Sequence, residues 1–355
     1  MKVCIVTYDE YINIPYIEKY QRFFELNNIS YDIILWDRRN IIDSQEETNY
    51  YVFKSRVGKS KLSKILPFLK WRRYTLKILK KYKYDRIVVL TTLPAILIKS
   101  YILKKYEEKY ILDIRDYTYE NICLYKKMVD KIVDKSLITY ISSKGFKSWL
   151  KPSEKLTLTH NITNAEMEFK KEHINLNLDK ITIGFVGGIR YYHENCYLIN
   201  NMKEHLNIQL KYIGKVHEGI DLEGYCTKKS ISNVEFQPAY INSDKPKIYQ
   251  GIDFINAIYG NKNNTVRTAL PNKLYDSILY KVPIIVSKGT FLAEIVEKYH
   301  LGFAIDIEKE DVYHVLKQYI ENFNEKVFID GCNALKNEVY KEEIISSEKL
   351  KMIIY

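Results

Sequence analysis

The sequence lacks the short motifs that mark several classes of cofactor and metal protein. Its five cysteines, Cys4, Cys123, Cys196, Cys226 and Cys332, form no Cys-x-x-Cys pair and no cysteine–histidine cluster. This spacing argues against structural zinc and favours a reducing compartment. The first strand-like run is followed by YDEYINIPY, which contains no glycine and so cannot form a Gly-x-Gly-x-x-Gly loop. An NAD-dependent enzyme of the Rossmann type is therefore not expected.

Long apolar runs are also lacking. No stretch approaches the roughly 18 uninterrupted apolar residues that a membrane-spanning helix needs. The chain begins Met1-Lys2 and runs directly into the strand-like VCIVTY, without the charged and then apolar pattern of a secretion signal. We therefore expect a cytoplasmic protein without a transmembrane helix.

The residues that are present indicate a globular protein with a basic surface. Hydrophobic residues make up 46% of a 355-residue chain, which is long enough for two domains with separate cores. There are 55 Lys and Arg against 44 Asp and Glu, which gives a net charge of +11. Such an excess favours a polyanionic partner, whether nucleic acid, a phosphosugar or an anionic membrane.

Strand-like and helix-like segments alternate along the chain. In the first half, VCIVTY, YDIILW, RIVVLTT, YILDIRD and LITYISS are strand-like, with helical patterns between most of them. A polar stretch follows, after which ITIGFVGGI begins the same alternation again. This βαβ pattern predicts an α/β fold of two doubly wound, Rossmann-like domains, with ligands beyond the carboxyl ends of the strands.

The predicted boundaries follow from this alternation. The N-terminal domain covers residues 1–165, an interdomain linker covers 166–180, and the C-terminal domain covers 181–335. The remaining residues, 336–355, have a helical pattern.

Residues 269–290 combine a helix start with a buried strand. Pro271 suits the first turn of a helix, and the apolar run 282–286 is typical of a strand buried on both faces. The N–H groups at an exposed helix start bind anions. Asp276 lies one turn further in, about 6 Å away at a rise of about 1.5 Å per residue. A phosphate at the helix start and a ribose beside Asp276 fit this geometry.

This segment resembles the donor-nucleotide helix of GT-B glycosyltransferases. It is most similar to retaining enzymes of family four that build bacterial capsular and O-antigen polysaccharides, whose pattern is close to P-x-K-L-x-E-x-x-x-x-G-x-P-V-I-x-S. The matching residues are Pro271, Lys273, Leu274, Pro283, Ile285 and Ser287.

Four residues depart from the family pattern. Asp276 replaces the more common Glu, Lys281-Val282 stands where many members have Gly-Lys, and Thr268 stands where many have a second Glu. The resemblance implies that Asp276 binds the nucleotide ribose. It also implies that the two domains face a cleft and that the terminal helix crosses back to the first domain.

Further donor-binding residues are expected in FVGGIRYYHEN (185–195), after the first strand of the second domain. Gly187 and Gly188 let the backbone approach a ligand closely, and Arg190 is a forked cation suited to a diphosphate. Family members place an Arg and a Lys where this chain has Gly188 and His193. Arg190 and His193 are expected to serve the same end from shifted positions; otherwise they are a surface cation and a neutral loop histidine.

Lys273, in the first turn, opposes the helix dipole unless an anion neutralises it, which supports a phosphate site. Asn272 lies at the helix start and Arg267 is a weaker candidate for the same anion, while Tyr240 either flanks the base or packs in a loop. No Asp-x-Asp pair occurs to hold a metal ion on a diphosphate. We therefore expect Arg190, Lys273 and the helix start to stabilise the leaving diphosphate, without metal or another cofactor.

Acidic residues follow two strands of the first domain. In the run YILDIRDYTYE (110–120), the strand ends in the turn D-I-R-D, which resembles the D-[IVL]-R-D turn of several capsule enzymes. Its Asp116 and Glu120 are expected to orient or deprotonate an acceptor hydroxyl, although an Asp–Arg pair that only fixes the turn is equally compatible. Asp9 and Glu10 follow the first strand and are expected to contact the acceptor.

Residues 59–86 are strongly basic and contain interleaved apolar residues. This pattern predicts a contact with an anionic membrane surface. The residues expected to make it are Trp71, Arg72, Arg73, Lys80 and Lys81. The alternatives are a solvated helix whose apolar face belongs to the core, and a nucleic-acid site, which no recognition motif supports.

The predicted function is transfer of a sugar from a nucleotide diphosphate sugar, with UDP favoured over GDP, to a lipid-diphosphate-linked saccharide in bacterial surface polysaccharide synthesis. The enzyme is expected to be peripheral on the inner face of the cell membrane, and retention of configuration is implied by the family alone. Two alternatives stay open: a GT-B nucleotide-sugar 2-epimerase, which needs neither acceptor nor membrane, and a non-catalytic, membrane-associated GT-B subunit.

Overall fold

The computed structural model describes residues 1–11, 14–38, 49–56, 61–162, 174 and 176–354, with backbone alone for 61–64. The chain divides into two compact units. The first comprises Met1–His160 and Glu342–Tyr355, and the second comprises Asn161–Lys341. The predicted linker, 166–180, lies outside the described residues except for 174 and 176–180.

Among the described residues, the first unit contains a seven-stranded parallel sheet. Its strands are β1 (Lys2–Val6), β2 (Ser30–Asp37), β3 (Tyr50–Lys54), β4 (Arg86–Leu90), β5 (Tyr110–Ile114), β6 (Ile138–Ile141) and β7 (Leu156–Leu158). Its helices are α1 (Ile17–Leu26), α2 (Lys61–Tyr82), α3 (Thr92–Leu97), α4 (Lys99–Lys105) and α5 (Cys123–Asp134).

The second unit contains a parallel sheet of six strands within the described part of the chain. The strands are β8 (Ile181–Val186), β9 (Ile208–Ile213), β10 (Val234–Gln237), β11 (Phe254–Ala257), β12 (Ile284–Ser287) and β13 (Gly302–Ile305). The helices are α6 (Tyr192–Met202), α7 (Leu222–Lys228), α8 (Lys245–Gln250), α9 (Asn264–Thr268), α10 (Asn272–Tyr280), α11 (Phe291–Lys298), α12 (Val312–Glu321) and α13 (Glu325–Leu350).

The strand orders confirm the predicted fold class. The first sheet runs β3-β2-β1-β4-β5-β6-β7 and the second runs β10-β9-β8-β11-β12-β13. In each sheet the chain starts near the middle, moves to one edge, and then returns to build the other side. Both units are therefore doubly wound, with switch points between β1 and β4 and between β8 and β11.

The continuous apolar runs form strands that are buried on both faces. In β12, Ile284 and Val286 belong to one hydrophobic cluster and Ile285 belongs to another. The first cluster includes Leu274 and Ile278 of α10, which recur at helical spacing. The helix and strand of the motif therefore pack against each other as their apolar patterns predict.

Helix α10 ends at a residue that explains one departure from the family pattern. Lys281, its C-cap, has φ 54° and ψ 51°, the left-handed conformation that glycine adopts without strain. The family pattern has Gly at this position. The geometry of the turn is thus retained here at the expense of a strained lysine.

Helix α13 carries the chain back into the first unit. The division between the units falls within it, and residues from Glu342 onward pack with the first unit. There, Lys19 contacts both Glu343, at 2.9 Å, and Ser346, at 2.7 Å. Leu350 and Ile353 then enter the hydrophobic core that also contains β1 and α1 residues.

A search of the described helices finds no segment with the length and apolar content required to cross a bilayer.

Candidate functional site

The switch point of the second sheet lies between β8 and β11. In open α/β sheets, ligands bind beyond the carboxyl ends of the strands at this position. After β8 the chain enters Gly187, whose φ of 120° is available to glycine and strained for other residues. Gly214, after β9, packs so closely that a Cβ there would lie 2.0 Å from the Gly187 carbonyl oxygen. Both glycines are therefore required for the backbone to turn at this edge.

Helix α10 begins at the same edge with an uncapped amino end. Its N-cap residue, Pro271, forms no side-chain cap. The first N–H with an acceptor is that of Leu274, which donates to the Pro271 carbonyl at 3.0 Å. In the described structure the N–H groups of Asn272 and Lys273 donate to no acceptor. A helix start in this state attracts an anion.

Lys273 extends from α10 over the end of β8. Its side chain is buried, and its Nζ lies 3.6 Å from the centre of the Phe185 ring and 5.3 Å from that of Tyr259. No carboxylate forms an ion pair with it in the part of the chain that is described. Burial lowers the pKa of Lys273 to about 7. The site therefore contains a buried amine that lacks a directly bonded counter-charge.

Asp276 lies one turn further along α10 and is also buried. Its Oδ1 accepts a hydrogen bond from Lys245 Nζ at 2.9 Å, and its Oδ2 accepts one from the Tyr249 hydroxyl at 2.7 Å. Both partners come from α8. Because both carboxylate oxygens already accept within the protein, the ribose contact of Asp276 stays a prediction.

Three cations, Lys273, Arg190 and Lys245, lie within electrostatic reach of one another and of Asp276. Arg190 and Lys245 both lower the pKa of Lys273, whereas Asp276 raises it, so all four groups are within electrostatic reach. Tyr240 lies near the same charges. Burial raises the pKa of its hydroxyl, Lys245 lowers this pKa and Asp276 raises it, so both charged groups are within electrostatic reach of Tyr240. An excess of cations over carboxylates is complementary to a diphosphate.

Arg190 is oriented by a residue that sequence reasoning missed. Its Nε donates to His217 Nε2 at 2.9 Å. Burial lowers the pKa of His217, and Arg190 and Lys215 lower it further, so the imidazole stays neutral and can accept this bond. A Cβ at Gly188 would approach His217 Nε2 to 2.9 Å, so Gly188 leaves room for the imidazole.

The side chains of three other predicted donor residues, His193, Arg267 and Asn272, are exposed. His193 pairs with Glu308 at 3.4 Å, and Lys262 pairs with the same carboxylate at 2.5 Å, in an exposed group. Arg267 is exposed on α9, and the side chain of Asn272 is exposed at the first position of α10. His193 lies in the first turn of α6 and not in a loop, so the expected alternative of a loop histidine is wrong in this respect, while its phosphate role stays a prediction.

The acidic turn of the first unit is held by a buried ion pair. Arg115 donates to Asp113 through Nε at 2.6 Å and through Nη2 at 2.9 Å. Burial alone would lower the pKa of Arg115, but the pair with Asp113 outweighs burial and raises it. The Tyr20 hydroxyl also donates to Asp113, at 2.7 Å. The Asp–Arg pair therefore fixes the turn after β5, as one interpretation of the sequence proposed.

Asp116 lies beyond this turn and is exposed, and Asp9 is half-buried after β1. Burial raises the pKa of Tyr16, and Asp113, Asp116 and Asp9 add to the rise. Asp116 and Asp9 therefore lie near the same hydroxyl, so the structure brings these two predicted acceptor residues together.

The other two predicted acidic residues are buried. Glu120 Oε1 accepts from the Thr92 hydroxyl at 2.7 Å, and its Oε2 accepts from the Thr118 N–H at 2.5 Å. Glu120 therefore braces the loop after β5, and its position does not fit the expected direct role on a substrate. Glu10 is likewise buried, and its N–H donates to Asp9 Oδ1 at 2.9 Å.

A strained residue at the first switch point was not predicted. Thr91, directly after β4, has φ 72° and ψ 164°, a region that is essentially restricted to glycine. Its Oγ1 is buried without a hydrogen-bond partner in the described structure. No sequence signal distinguishes Thr91, because its strain depends on how α3 follows β4.

The predicted membrane residues on α2 divide into two sets. Trp71 is fully buried, and Arg72 Nε donates to the Leu97 carbonyl at 2.7 Å. Trp71 is therefore part of the core and cannot meet a membrane, which corrects the expectation for this residue. Arg73, Lys80 and Lys81 are exposed.

Metal ligands were also sought in the structure. Among the described residues, no three or more His, Cys, Asp or Glu side chains are grouped so that they could hold a metal ion. The cluster at the second switch point instead supplies ammonium and guanidinium groups, which suit an anion directly.

Known structures share this fold at low sequence identity. Sucrose-phosphate synthase from Thermosynechococcus elongatus aligns with a TM-score of 0.72 at 11% identity, over 99% of this chain and 97% of that one. HepE of Anabaena in complex with UDP gives 0.68 at 12% identity, over 99% and 100%. WaaG, a glycosyltransferase involved in lipopolysaccharide biosynthesis, gives 0.65 at 11% identity, over 99% of both chains.

Sequence comparison adds nothing to these similarities: no protein-family model and no curated protein matches the chain. The structural similarity extends over nearly the whole chain, so it includes both doubly wound units. The protein therefore has the GT-B glycosyltransferase fold.

Proposed function

We propose that the protein is a glycosyltransferase that moves a sugar from a nucleotide diphosphate sugar to a lipid-diphosphate-linked saccharide in bacterial surface polysaccharide synthesis. The observation that carries the proposal is the buried Lys273 amine at the second switch point, beside the uncapped start of α10. A nucleotide diphosphate would supply the anion that both features lack.

UDP is the favoured nucleotide. HepE, which shares the fold, binds UDP and UDP-glucose. We assign the start of α10 to a phosphate and Tyr240, which is within electrostatic reach of Lys245 and Asp276, to the base. The base itself has no hydrogen-bonding partner that we can assign, so UDP rests on the similarity of fold.

The chemistry asked of this site is to stabilise a leaving diphosphate. As the bond to the sugar breaks, negative charge develops on the diphosphate oxygens. We assign buried Lys273 and exposed Arg190 to neutralise that charge. A cation held in position stabilises it more effectively than water, which must reorient. We propose that no metal ion is required, because these cations perform the role that a metal performs on a diphosphate elsewhere.

Asp276 is assigned to hold Lys245 in this cluster. Lys273 and Arg190 would repel Lys245, and the 2.9 Å contact between Lys245 and Asp276 offsets this repulsion.

Acceptor binding is assigned to the first unit, where Asp116 is exposed and can reach an acceptor hydroxyl. Retention of configuration is proposed from the resemblance to family four.

The test is a transfer assay on the purified protein. Nucleotide sugars, including UDP-glucose, UDP-galactose and GDP-mannose, are incubated with a bacterial lipid extract as acceptor, with and without EDTA, and release of the nucleotide is measured. We expect release to depend on the extract and to be unchanged by EDTA. Anomeric configuration in the product is read by NMR.

Two outcomes would contradict the proposal. If no nucleotide or nucleotide sugar raises the melting temperature, the protein has no donor site of this kind. If a nucleotide sugar is converted to its 2-epimer without the extract, the protein is an epimerase. An Asp116→Asn variant that loses transfer but keeps binding of UDP would assign Asp116 to the acceptor.

A further inference from the structure

The first unit has exposed apolar side chains beside two of its helices, α2 and α5. Two groups of them lie at the amino end of α2 and in the segment that leads from β5 into α5. The residues are Ile65, Leu66 and Leu69 in the first group, and Tyr119, Ile122 and Leu124 in the second, with exposed fractions between 46% and 68%. Single exposed apolar residues are ordinary, but grouped ones mark a surface that meets another apolar phase.

Tyr8, which follows β1, lies near a residue of each group. Phe68, between Leu66 and Leu69, has its ring centre 6.3 Å from that of Tyr8. Burial raises the pKa of Tyr8, and Asp9, Asp116 and Tyr119 are close enough to raise it further, while Arg38 opposes them. Tyr8 therefore connects the turn 65–69 of α2 with Tyr119 of the second group.

Beyond this apolar end, the exposed charged side chains of α2 are all basic. Its sequence contains no acidic residue. The exposed positions after Leu69 follow helical spacing on one side of the helix: Lys70, Arg73, Lys77, Lys80 and Lys81. Within the described residues none of these five pairs with a carboxylate.

The opposite side of α2 is core. Trp71, Thr75, Ile78 and Leu79 recur at helical spacing and are buried. Among the described residues, no other part of the first unit therefore covers the exposed stripe. It has an apolar end and a cationic remainder, which is the pattern of a helix lying in a membrane interface.

We propose that this stripe, together with Tyr119, Ile122 and Leu124, rests on an anionic lipid bilayer, with the turn at Leu66 and Leu69 entering the headgroup region. Lipid phosphates would neutralise the cations of α2. Because Asp116 lies beside the patch, a lipid-linked acceptor would reach this residue from the membrane; this last step rests on the proposed function, whereas adsorption itself does not.

The first experiment measures flotation of the full chain with large unilamellar vesicles. Vesicles of phosphatidylglycerol and phosphatidylethanolamine are compared with vesicles of phosphatidylcholine alone, at low and high salt. We expect the protein to float with the anionic vesicles, to float poorly with phosphatidylcholine, and to lose binding as salt rises. Equal flotation with both compositions would overturn the cationic part of the proposal.

Two variants separate the apolar from the basic contribution. The first is Ile65→Ser/Leu66→Ser/Leu69→Ser, and the second is Lys70→Gln/Arg73→Gln/Lys77→Gln/Lys80→Gln. We expect each to lose at least about tenfold in vesicle affinity, since interfacial binding needs both contributions. Wild-type flotation of both variants would overturn the proposal.

Each variant has a matched control elsewhere on the molecule. Leu26→Ser/Leu206→Ser removes two side chains that are each 77% exposed but lie outside the patch. The control for charge removes four exposed lysines of the same unit that lie on neither α2 nor α5, Lys104→Gln/Lys105→Gln/Lys109→Gln/Lys351→Gln. If a control loses as much affinity as its partner variant, the surface is not the one proposed.

Two readouts keep the test independent of the proposed function. UDP binding, measured by thermal shift, is expected to be unchanged in every variant, which also shows that each variant folds. A single-stranded RNA added to the wild-type protein is expected not to displace it from the vesicles. Displacement by RNA at equal charge concentration would assign the face to nucleic acid and overturn the proposal.

Discussion

The two units share a topology and differ in what stands at their switch points. In the second unit, three cations and one carboxylate are gathered around a partly buried position between β8 and β11. In the first unit, the charges at the corresponding edge are largely satisfied within the protein, by the Asp113–Arg115 pair and by Glu120 with its partners. The fold therefore does not determine the site, since the same scaffold carries an anion-binding cluster once and an internally balanced acidic turn once.

The two units also differ in which unfavourable features they contain. The second unit keeps the Lys273 amine buried without a bonded counter-charge in the described part of the chain, and burial of such a group is unfavourable until an anion binds. The first unit instead holds a strained backbone at Thr91 and an exposed apolar surface beside Asp116. We infer that the second unit is prepared for a small polyanion and the first for a partner that approaches from outside.

The largest expected effect comes from breaking the balanced pair of the first unit. Asp113→Ala would remove the carboxylate that accepts two hydrogen bonds from buried Arg115, which we expect to cost about 3–5 kcal/mol of unfolding free energy. Chemical denaturation monitored by circular dichroism measures this. The variant should still bind UDP at a temperature where it is folded, because the pair lies in the other unit. A loss below about 1 kcal/mol would show that Arg115 finds another partner.

The second effect tests the unbalanced site. Lys273→Met removes the cation expected to bind the diphosphate, and we expect UDP affinity to fall by about 100-fold, or about 2.7 kcal/mol. Titration calorimetry gives the affinity. Lys281→Met is the matched control, because Lys281 is on the same helix but at its carboxyl end. Equal affinities in wild type and Lys273→Met would remove Lys273 from the site.

The same substitution has an opposite effect on stability. The folded-state pKa of Lys273, about 7, lies below its ordinary value, so the unfolded chain binds a proton that the folded protein does not. Between about pH 10.5 and pH 7, this group therefore makes the protein less stable as the pH falls. We expect Lys273→Met to be more stable than wild type at pH 7, with the difference shrinking toward pH 10, as thermal unfolding would show.

The pH dependence of donor binding is expected to be smaller. A diphosphate favours the charged amine, so UDP should bind with uptake of a proton and should bind less tightly as pH rises above 7. We expect a loss of roughly tenfold between pH 7 and pH 8.5, where the charge of UDP itself changes little. Lys273→Arg should bind UDP with little pH dependence in this range, because arginine remains charged. A pH-independent wild type would contradict this assignment.

The smallest expected effect tests whether the strained backbone at Thr91 lowers the stability of the first unit. Thr91→Gly relieves the unfavourable φ, which is worth about 1–2 kcal/mol, and loses about 0.5–1 kcal/mol to backbone entropy. The net expectation is a stabilisation of about 1 kcal/mol, seen as a melting temperature higher by a few degrees. Thr92→Gly is the control and should destabilise, because Thr92 is helical and donates to Glu120.

The fold was largely predictable because most strands are continuous apolar runs. The two strands that the sequence did not indicate, β3 and β7, lie at the two ends of the first sheet. The residues of β3 are only partly buried, and β7 has three residues. An edge strand has one neighbour and less burial, so its sequence carries a weaker apolar signal.

The site was predictable where a local pattern fixed it. Lys273 and Asp276 follow from their positions in a helix, and Arg190 from its place after β8. Lys245 and His217 were missed because each joins the cluster through a contact with a residue 27 or 31 positions away. Local spacing carries no information about such contacts, which depend on how separate βα segments pack in one sheet.

Trp71 shows why the sequence did not predict which residues of α2 are exposed. The sequence shows that α2 is both apolar and basic but not which apolar side chains face inward. The structure buries Trp71 and exposes Leu66 and Leu69, because only part of the helix circumference meets the sheet. The predicted surface was therefore assigned to the wrong apolar residue on α2.

The proline that begins α10 has a further consequence. Because Pro271 offers no side-chain cap, the first turn of this helix begins with amide groups that donate to no acceptor among the described residues. A bound phosphate would take over these amides, so the ligand would act as the N-cap of the helix. We expect hydrogen–deuterium exchange at Asn272 and Lys273 to slow when UDP binds, which means that the nucleotide completes an element of secondary structure that the chain leaves unfinished.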